Sequence, residues 1–246
     1  SFLMEFIDER GNEFTTALHM FNEKRATGFI LLGSRVDDRA SAIASLDVPF
    51  VFSTVNAMAL PLRRVASVCI DDRATAKRAT EKLLALGHRR IAIFGGRADR
   101  GDSLAIRYVG ARDAYESRGL PFDEGYCVET RFSLRGAYDT AKAFFLAHPD
   151  TTAVFAMSDM VAIGIMRALR DLGLRVPEDV SVMGFDGVEI GRFTTPTLAT
   201  VRQPVDRIAQ QSVNALLGMM HDGASGGDCL LDAELLDGES IAPPHQ

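Results

Sequence analysis

The sequence predicts an α/β protein of two doubly wound lobes, each a parallel sheet covered by helices on both faces. Short apolar runs alternate with amphipathic helical periods along almost the whole chain. The apolar runs are four to six residues long and are bounded by turn-forming or charged residues. The 246 residues exceed one ordinary domain and suit two lobes, each of about 100–150 residues.

The elements follow in order. Phe2–Ile7 reads as a strand, leading into an acidic turn at Asp8 and Glu9. Phe14, Ala17, Leu18 and Phe21 then fall at i, i+3, i+4 and i+7, one face of a helix. Gly28–Leu32, Phe50–Ser53 and Val65–Ile70 read as strands. Asp71 or Asp72 caps the next helix, whose face is Ala76, Ala79, Leu83 and Leu86, and Gly87 ends it. Strand Ile91–Phe94 precedes a helix marked by Leu104, Tyr108, Ala111 and Tyr115. Strand Tyr126–Glu129 precedes one marked by Ala137, Ala141, Phe144 and Phe145. Strand Ala153–Met157 leads to a helix capped by Ser158 or Asp159, with Ala162, Ile165, Met166 and Leu169 on its face. Strand Val180–Phe185 and a helix carrying Val205, Ile208, Ser212, Leu216 and Met219 come next. A loose linker, Asp222–Asp228, precedes the final run Cys229–Asp232. A doubly wound domain normally opens on a central strand, so this opening predicts an unusual start or a preceding strand and helix absent from the chain.

Composition excludes several function classes. Hydrophobic residues at 47% and charged residues at 24% exclude a disordered chain. No run approaches the roughly 18 apolar residues of a membrane span, and Ser1 to Arg10 shows no signal-peptide pattern. With 27 basic and 33 acidic residues the net charge is −6, a poor sign for gripping phosphate backbones directly. Cys69, Cys127 and Cys229 are odd in number and far apart, as expected of buried thiols in a reducing, cytoplasmic setting. None of the five histidines stands at metal-ligand spacing, so no metal is expected. Gly95-Gly96 lacks the dinucleotide and P-loop fingerprints and reads as a tight turn, so no cofactor is expected. No nucleophile elbow occurs. His88, after a helix C-terminus, reads as a partly cationic imidazole that complements the helix dipole together with Arg89 and Arg90.

Ligands of open parallel sheets sit beyond the carboxyl ends of the strands. Arg107, Phe132, Ser158 or Asp159, and Asp186 fall there in one lobe. A cation, an aromatic plate, a small polar side chain and a carboxylate suit a polyhydroxylated ligand. Singly, each also reads as a cap, a turn residue or a surface charge.

The segment Leu172-Gly173-Leu174-Arg175-Val176-Pro177-Glu178-Asp179-Val180-Ser181-Val182-Met183-Gly184-Phe185-Asp186 resembles the L-G-x-x-V-P-x-D-V-S-V-x-G-F-D stretch of the LacI/GalR family of bacterial regulators. Ser158-Asp159-Met160-Val161-Ala162-Ile163-Gly164 is similar to its N-D-x-x-A-x-G, and Pro196–Pro204 to its P-x-L-T-T-V-x-Q-P. Leu86–Ala92, Arg107–Gly110 and Thr27–Leu32 match in support. The resemblance spans essentially the whole chain. It implies a periplasmic-binding-protein-like core that lacks the helix-turn-helix headpiece, the hinge, and the core's first strand and helix. It implies three crossovers, near Ile70–Asp71, Val201–Gln203 and Gly223–Asp228. The lobes would then hold residues 1–70 with 204–226, and 71–203 with 227–246. It also implies a small-molecule effector, operator DNA bound through the headpiece, and a homodimer using helices 14–25 and 205–220, with no membrane partner.

Carried over position by position, Ser34 is a polar contact after the first-lobe strand and Arg107 grips effector. Phe132 packs on it, Ser158 stands where the family has Asn, and Asp186 bonds its hydroxyls. Gly187 replaces a common second Asp, and a glycine expected near Thr75 is absent. A non-enzymatic sensor is the first reading; an extracytoplasmic sugar-binding protein and an enzyme on the same fold are the rivals. Replacing Asp186 by Ala is expected to leave Arg107 unpaired and weaken binding by about 1–3 kcal/mol.

Overall fold

The computed structural model describes residues 2–7, 11–96, 102–221 and 226–245. Its strands are β1 (Phe29–Leu32), β2 (Phe50–Ser53), β3 (Val65–Ile70), β4 (Ile91–Gly95), β5 (Cys127–Glu129), β6 (Ala153–Ala156), β7 (Ser181–Asp186), β8 (Ala199–Arg202), β9 (Asp228–Leu231) and β10 (Glu234–Leu236). Its α-helices are α1 (Glu13–Lys24), α2 (Asp72–Ala85), α3 (Ser103–Glu116), α4 (Leu134–Ala147), α5 (Asp159–Asp171) and α6 (Val205–His221). The chain divides into two compact units, Ser1–Ile70 with Pro204–Leu231 and Asp71–Gln203 with Asp232–Gln246.

The first unit is built on an all-parallel sheet in the order β1-β2-β3-β9. Side chains alternate across it. Phe50 and Phe52 join Phe14, Ala17 and Ile43 in one apolar core, with Phe29 stacked on Phe50 at 5.0 Å. Ser53 faces the other way and meets Ser212 of α6 at 2.5 Å. Asn12 starts α1 by accepting from the Phe14 and Thr15 amides.

Two expectations fail in this unit. Phe2–Ile7 is not a strand, and Phe2 and Phe6 are 79% and 91% exposed. An apolar run becomes a strand when a neighbour takes its backbone hydrogen bonds, and none of the described strands pairs with it. The last change of unit falls at Leu231–Asp232 and not within 223–228. Strand β9 causes the shift, because it pairs with β3 and so keeps 228–231 in the first unit.

The second unit carries a six-stranded sheet in the order β10-β8-β7-β6-β4-β5, parallel except for β10. Helices α4 and α5 cover one face over Phe94, Val154, Ala156 and Val182. Helices α2 and α3 pair on the other. The short strands β8 and β10 had not been read as strands from the sequence.

At the amino ends of these strands the C-terminal segment closes the sheet. The Ser240 hydroxyl donates to the Val182 carbonyl and accepts from the Ala199 amide. His88, 1% exposed, contacts Thr152 Oγ1 at 3.0 Å and the Ala242 carbonyl at 2.9 Å. The carbonyl only accepts, so Nε2 carries the proton and Nδ1 receives the Thr152 hydroxyl. Burial lowers the imidazole's pKa. His88 is therefore a neutral structural group, not the cationic dipole partner expected from sequence.

Candidate functional site

Strands β4, β6, β7 and β8 end side by side at the opposite edge of the second sheet, where a doubly wound fold offers its ligand crevice. Arg107, in the first turns of α3, sits at the centre with 5% of its side chain exposed. Its Nε donates to Asp72 Oδ1 at 2.7 Å and its Nη1 to the Met157 carbonyl at 2.7 Å. Asp186 Oδ1 lies 3.5 Å from Nη1. The Phe185 ring backs the guanidinium, with its centroid 3.7 Å from Cζ. This is a cation–π contact in a desolvated place.

Local sequence accounts for each position. Asp71 caps α2 by accepting from the Ala74 amide, which leaves the adjacent Asp72 to turn inward. Burial raises the Asp72 carboxyl's pKa, and Arg107 opposes that rise. Asp186 ends β7 with φ +118°, a backbone conformation that costs of order 1–3 kcal/mol for a residue with a side chain. It is held there by Gln203, whose amide N–H donates to the Asp186 carbonyl and whose Nε2 donates to Oδ1 at 2.9 Å. Burial raises the pKa of this carboxyl too, against the pull of Arg107, Gln203 and Ser158. Ser158 caps α5 through the Met160 amide and acts, with Arg107 and Gln203, against the rise of the Asp186 carboxyl's pKa.

Arg107 and Asp186, singled out from sequence, thus meet directly, and Ser158 caps the helix beside them. Phe132 stands past the end of β5, just before α4, and is 38% exposed. Ser34 is buried just past β1 and belongs to the first unit.

Three further residues belong to the cluster: Asp72 and Gln203, to which the sequence alone assigns no ligand role, and Asp159, which stands there only as the alternative to Ser158. Asp72 was hidden because Asp71 already explains a cap. Gln203 lay inside a matching motif without a role. Asp159 competed with Ser158 for the cap; it is fully buried and accepts from Thr200 Oγ1 at 2.5 Å and from the Val188 amide at 2.8 Å. One expectation is corrected here. Loss of Asp186 does not leave Arg107 unpaired, since Asp72 holds it more closely.

The cluster sets one guanidinium against two carboxylates. It offers acceptors to hydroxyl hydrogens and a donor to hydroxyl oxygens, and it resists a further negative charge. Among the described residues, no group of three or more His, Cys, Asp or Glu is arranged to hold a metal ion. Among them also, no helix is long and apolar enough to cross a membrane.

A family model for the periplasmic binding protein-like domain matches residues 80–241. The transcriptional regulator MalR of Clostridium butyricum is 29% identical over 92% of this chain and 68% of its own length. The ribose operon repressor of Escherichia coli is 36% identical over 56% of this chain and 42% of its own. A solved LacI family transcriptional regulator from Enterococcus faecium, with bound ribose, is 25% identical with a TM-score of 0.78, over 93% of this chain and 84% of that one. Against the first three curated regulators it matches, the chain spans 58 to 68% of their length.

Proposed function

The chain belongs to the periplasmic binding protein-like family, in its LacI-type branch of regulators, and from that premise we propose that it is the effector-sensing core of a transcriptional regulator, taking a neutral sugar or polyol. The observation that carries the ligand class is the Arg107 guanidinium set between Asp72 and Asp186. A sugar hydroxyl donates to Asp186 while its neighbour accepts from Arg107. Phe132 supplies a ring for the C–H face of the sugar, and Ser34 is the first unit's candidate contact. A phosphate would add charge where two carboxylates already outnumber one cation. The ribose in the Enterococcus regulator and the ribose operon of the Escherichia repressor support the sugar class.

The core performs no chemistry in this reading. Effector biases an existing equilibrium through its different affinity for two states, and that bias is passed to operator-bound headpieces. The regulator acts as a homodimer. Val213, Leu217 and Met220 support this, being apolar, at helical spacing on α6 and 36–47% exposed. Transport as an extracytoplasmic binding protein is the weaker reading, because the named relatives are regulators.

A thermal-shift screen tests the ligand class. D-ribose, D-glucose and cellobiose are set against ribose 5-phosphate and hypoxanthine. Stabilisation by a neutral sugar is expected; stabilisation by the phosphate or the purine alone overturns the reading. Light scattering at micromolar concentration tests the dimer, which a mass equal to one chain would exclude.

A further inference from the structure

We propose that Asp159 is a positioning residue whose buried carboxylate, lodged among the Gly187 and Val188 amides and the Thr200 hydroxyl, fixes the turn that presents Asp186 to ligand. The inference deepens the reading of Asp186 as a sugar contact and rests on it.

Four features of the geometry carry it. Asp186 and Gly187 both have positive φ, +118° and +76°. This tight turn carries the Val188 amide back toward the start of α5, where it meets a carboxylate as the amides of a backbone nest meet an anion. Here the nest is filled from within the protein. The Val188 amide donates to Asp159 Oδ2 at 2.8 Å, and the Gly187 backbone amide helps stabilise the same carboxylate electrostatically. The other oxygen, Oδ1, accepts from Thr200 Oγ1 at 2.5 Å. One side chain at the start of α5 thereby ties down the turn after β7 and the middle of β8.

The surroundings are shaped for this group. A Cβ on Gly184 would fall within clash distance of Asp159 Oδ1, and one on Gly187 would meet the Arg202 backbone at 2.6 Å. Asp159 is 0% exposed and Thr200 3% exposed. Among the described contacts, the Asp159 carboxylate is answered by amides and a hydroxyl and by no salt bridge. A buried charge held by oriented dipoles fixes backbone direction. Asp186, whose φ is strained for a residue with a side chain, is the neighbour whose direction is fixed.

The test uses the whole chain and two readouts. Backbone amide exchange at Gly187 and Val188 reports the nest, and calorimetry with D-ribose, D-glucose and cellobiose reports ligand. Asp159→Ala is expected to speed exchange at those two amides and to weaken the sugar bound by the wild type about tenfold or more, the effect of losing a charged hydrogen-bonded partner. Asp159→Asn is the rescue. Its oxygen accepts from the nest, its amide donates to a reoriented Thr200 hydroxyl, and sugar affinity stays within about threefold. Thr200→Val keeps the nest and loses one tie, with an intermediate effect, and it serves if Asp159→Ala does not fold.

A folded Asp159→Ala with unchanged exchange, or with unchanged sugar affinity, overturns the proposal. So does an Asp159→Asn that loses affinity like Asp159→Ala, because charge and not positioning would then be responsible. Asp186→Asn separates the two readings. It should weaken sugar binding about tenfold and leave exchange at Gly187 and Val188 unchanged. If it leaves sugar binding intact, the reading of Asp186 as a contact fails, and the exchange measurements still decide the nest.

Discussion

The two edges of the second sheet bury polar groups to comparable depth and use them oppositely. At the amino ends of the strands, His88, Thr152, Ser181 and Ser240 are neutral; His88 bonds Thr152 and the Ala242 carbonyl, Ser181 the same carbonyl, and Ser240 the Val182 carbonyl and Ala199 amide. At the carboxyl ends, Arg107, Asp72, Asp159 and Asp186 are ionisable, and Asp186 keeps 29% of its side chain exposed. Neutral pairs satisfied inside the protein close a surface. A charged cluster with acceptor capacity left over costs stability to keep and leaves acceptors open to a further partner. One sheet therefore has a sealed edge and a receptive edge, and the kind of polar group distinguishes them.

The largest expected effect breaks the receptive edge. Arg107→Met leaves Asp72 and Asp186 without their guanidinium and should destabilise by about 3–5 kcal/mol, as removal of one member of a buried ion pair does. Denaturant titration measures it. Asp159 comes next, through pH. Burial pushes its carboxyl up to about 6, against the hydrogen bonds from Thr200 and Val188. The folded pKa lies above the unfolded one. The favourable contribution is thus complete below the ordinary pKa of 3.8 and lost as pH rises through about 6. Relative to Asp159→Asn, the wild type should lose on the order of 2–3 kcal/mol between pH 4 and pH 7.

The sealed edge should respond in the opposite direction. His88 has a lowered pKa through burial. Its contribution is complete above the ordinary pKa of 6.5 and lost as pH falls through the folded value. His88→Ala should cost about 1–3 kcal/mol at pH 8 and less in acid. If Asp159 and His88 variants shift stability with pH in the same direction, the contrast between the edges is wrong. The smallest effect is Asp186→Asn, expected within about 1 kcal/mol in stability because Arg107 keeps Asp72. Thermal unfolding at pH 7 checks it, and a larger loss would make Asp186 a structural partner of Arg107.

Much of this arrangement was legible in the sequence. Phe50–Ser53 and Val65–Ile70 are strands with the boundaries expected, because fully buried parallel strands read as continuous apolar runs. Strand β10 escaped because three residues with an exposed acidic end carry no such run. Phe2–Ile7 misled because pattern reports the side chains and says nothing of a pairing partner. At the site, Arg107, Ser158 and Asp186 were visible from their places after strands and from the family motif. Asp72 was masked by its neighbour's cap. The left-handed backbone at Asp186 has no signature in a sequence, since glycine marks such positions and here follows one residue later.

The division of the chain also bears on how it is made. Strand β9 and the helix α6 that covers β1–β3 both belong to the first unit, yet 71–203 is translated before them. A ribosome thus delivers β1–β3 early and leaves the sheet face destined for α6 waiting while the next unit emerges. The second unit has most of its sheet in hand by residue 203 and awaits its closing segment, 232–245. During synthesis the charged cluster of Asp72, Arg107, Asp159 and Asp186, with Gln203, is complete in sequence before the first unit can be. A growing chain therefore has the means to assemble its charged cluster while its first sheet still shows bare apolar surface to chaperones.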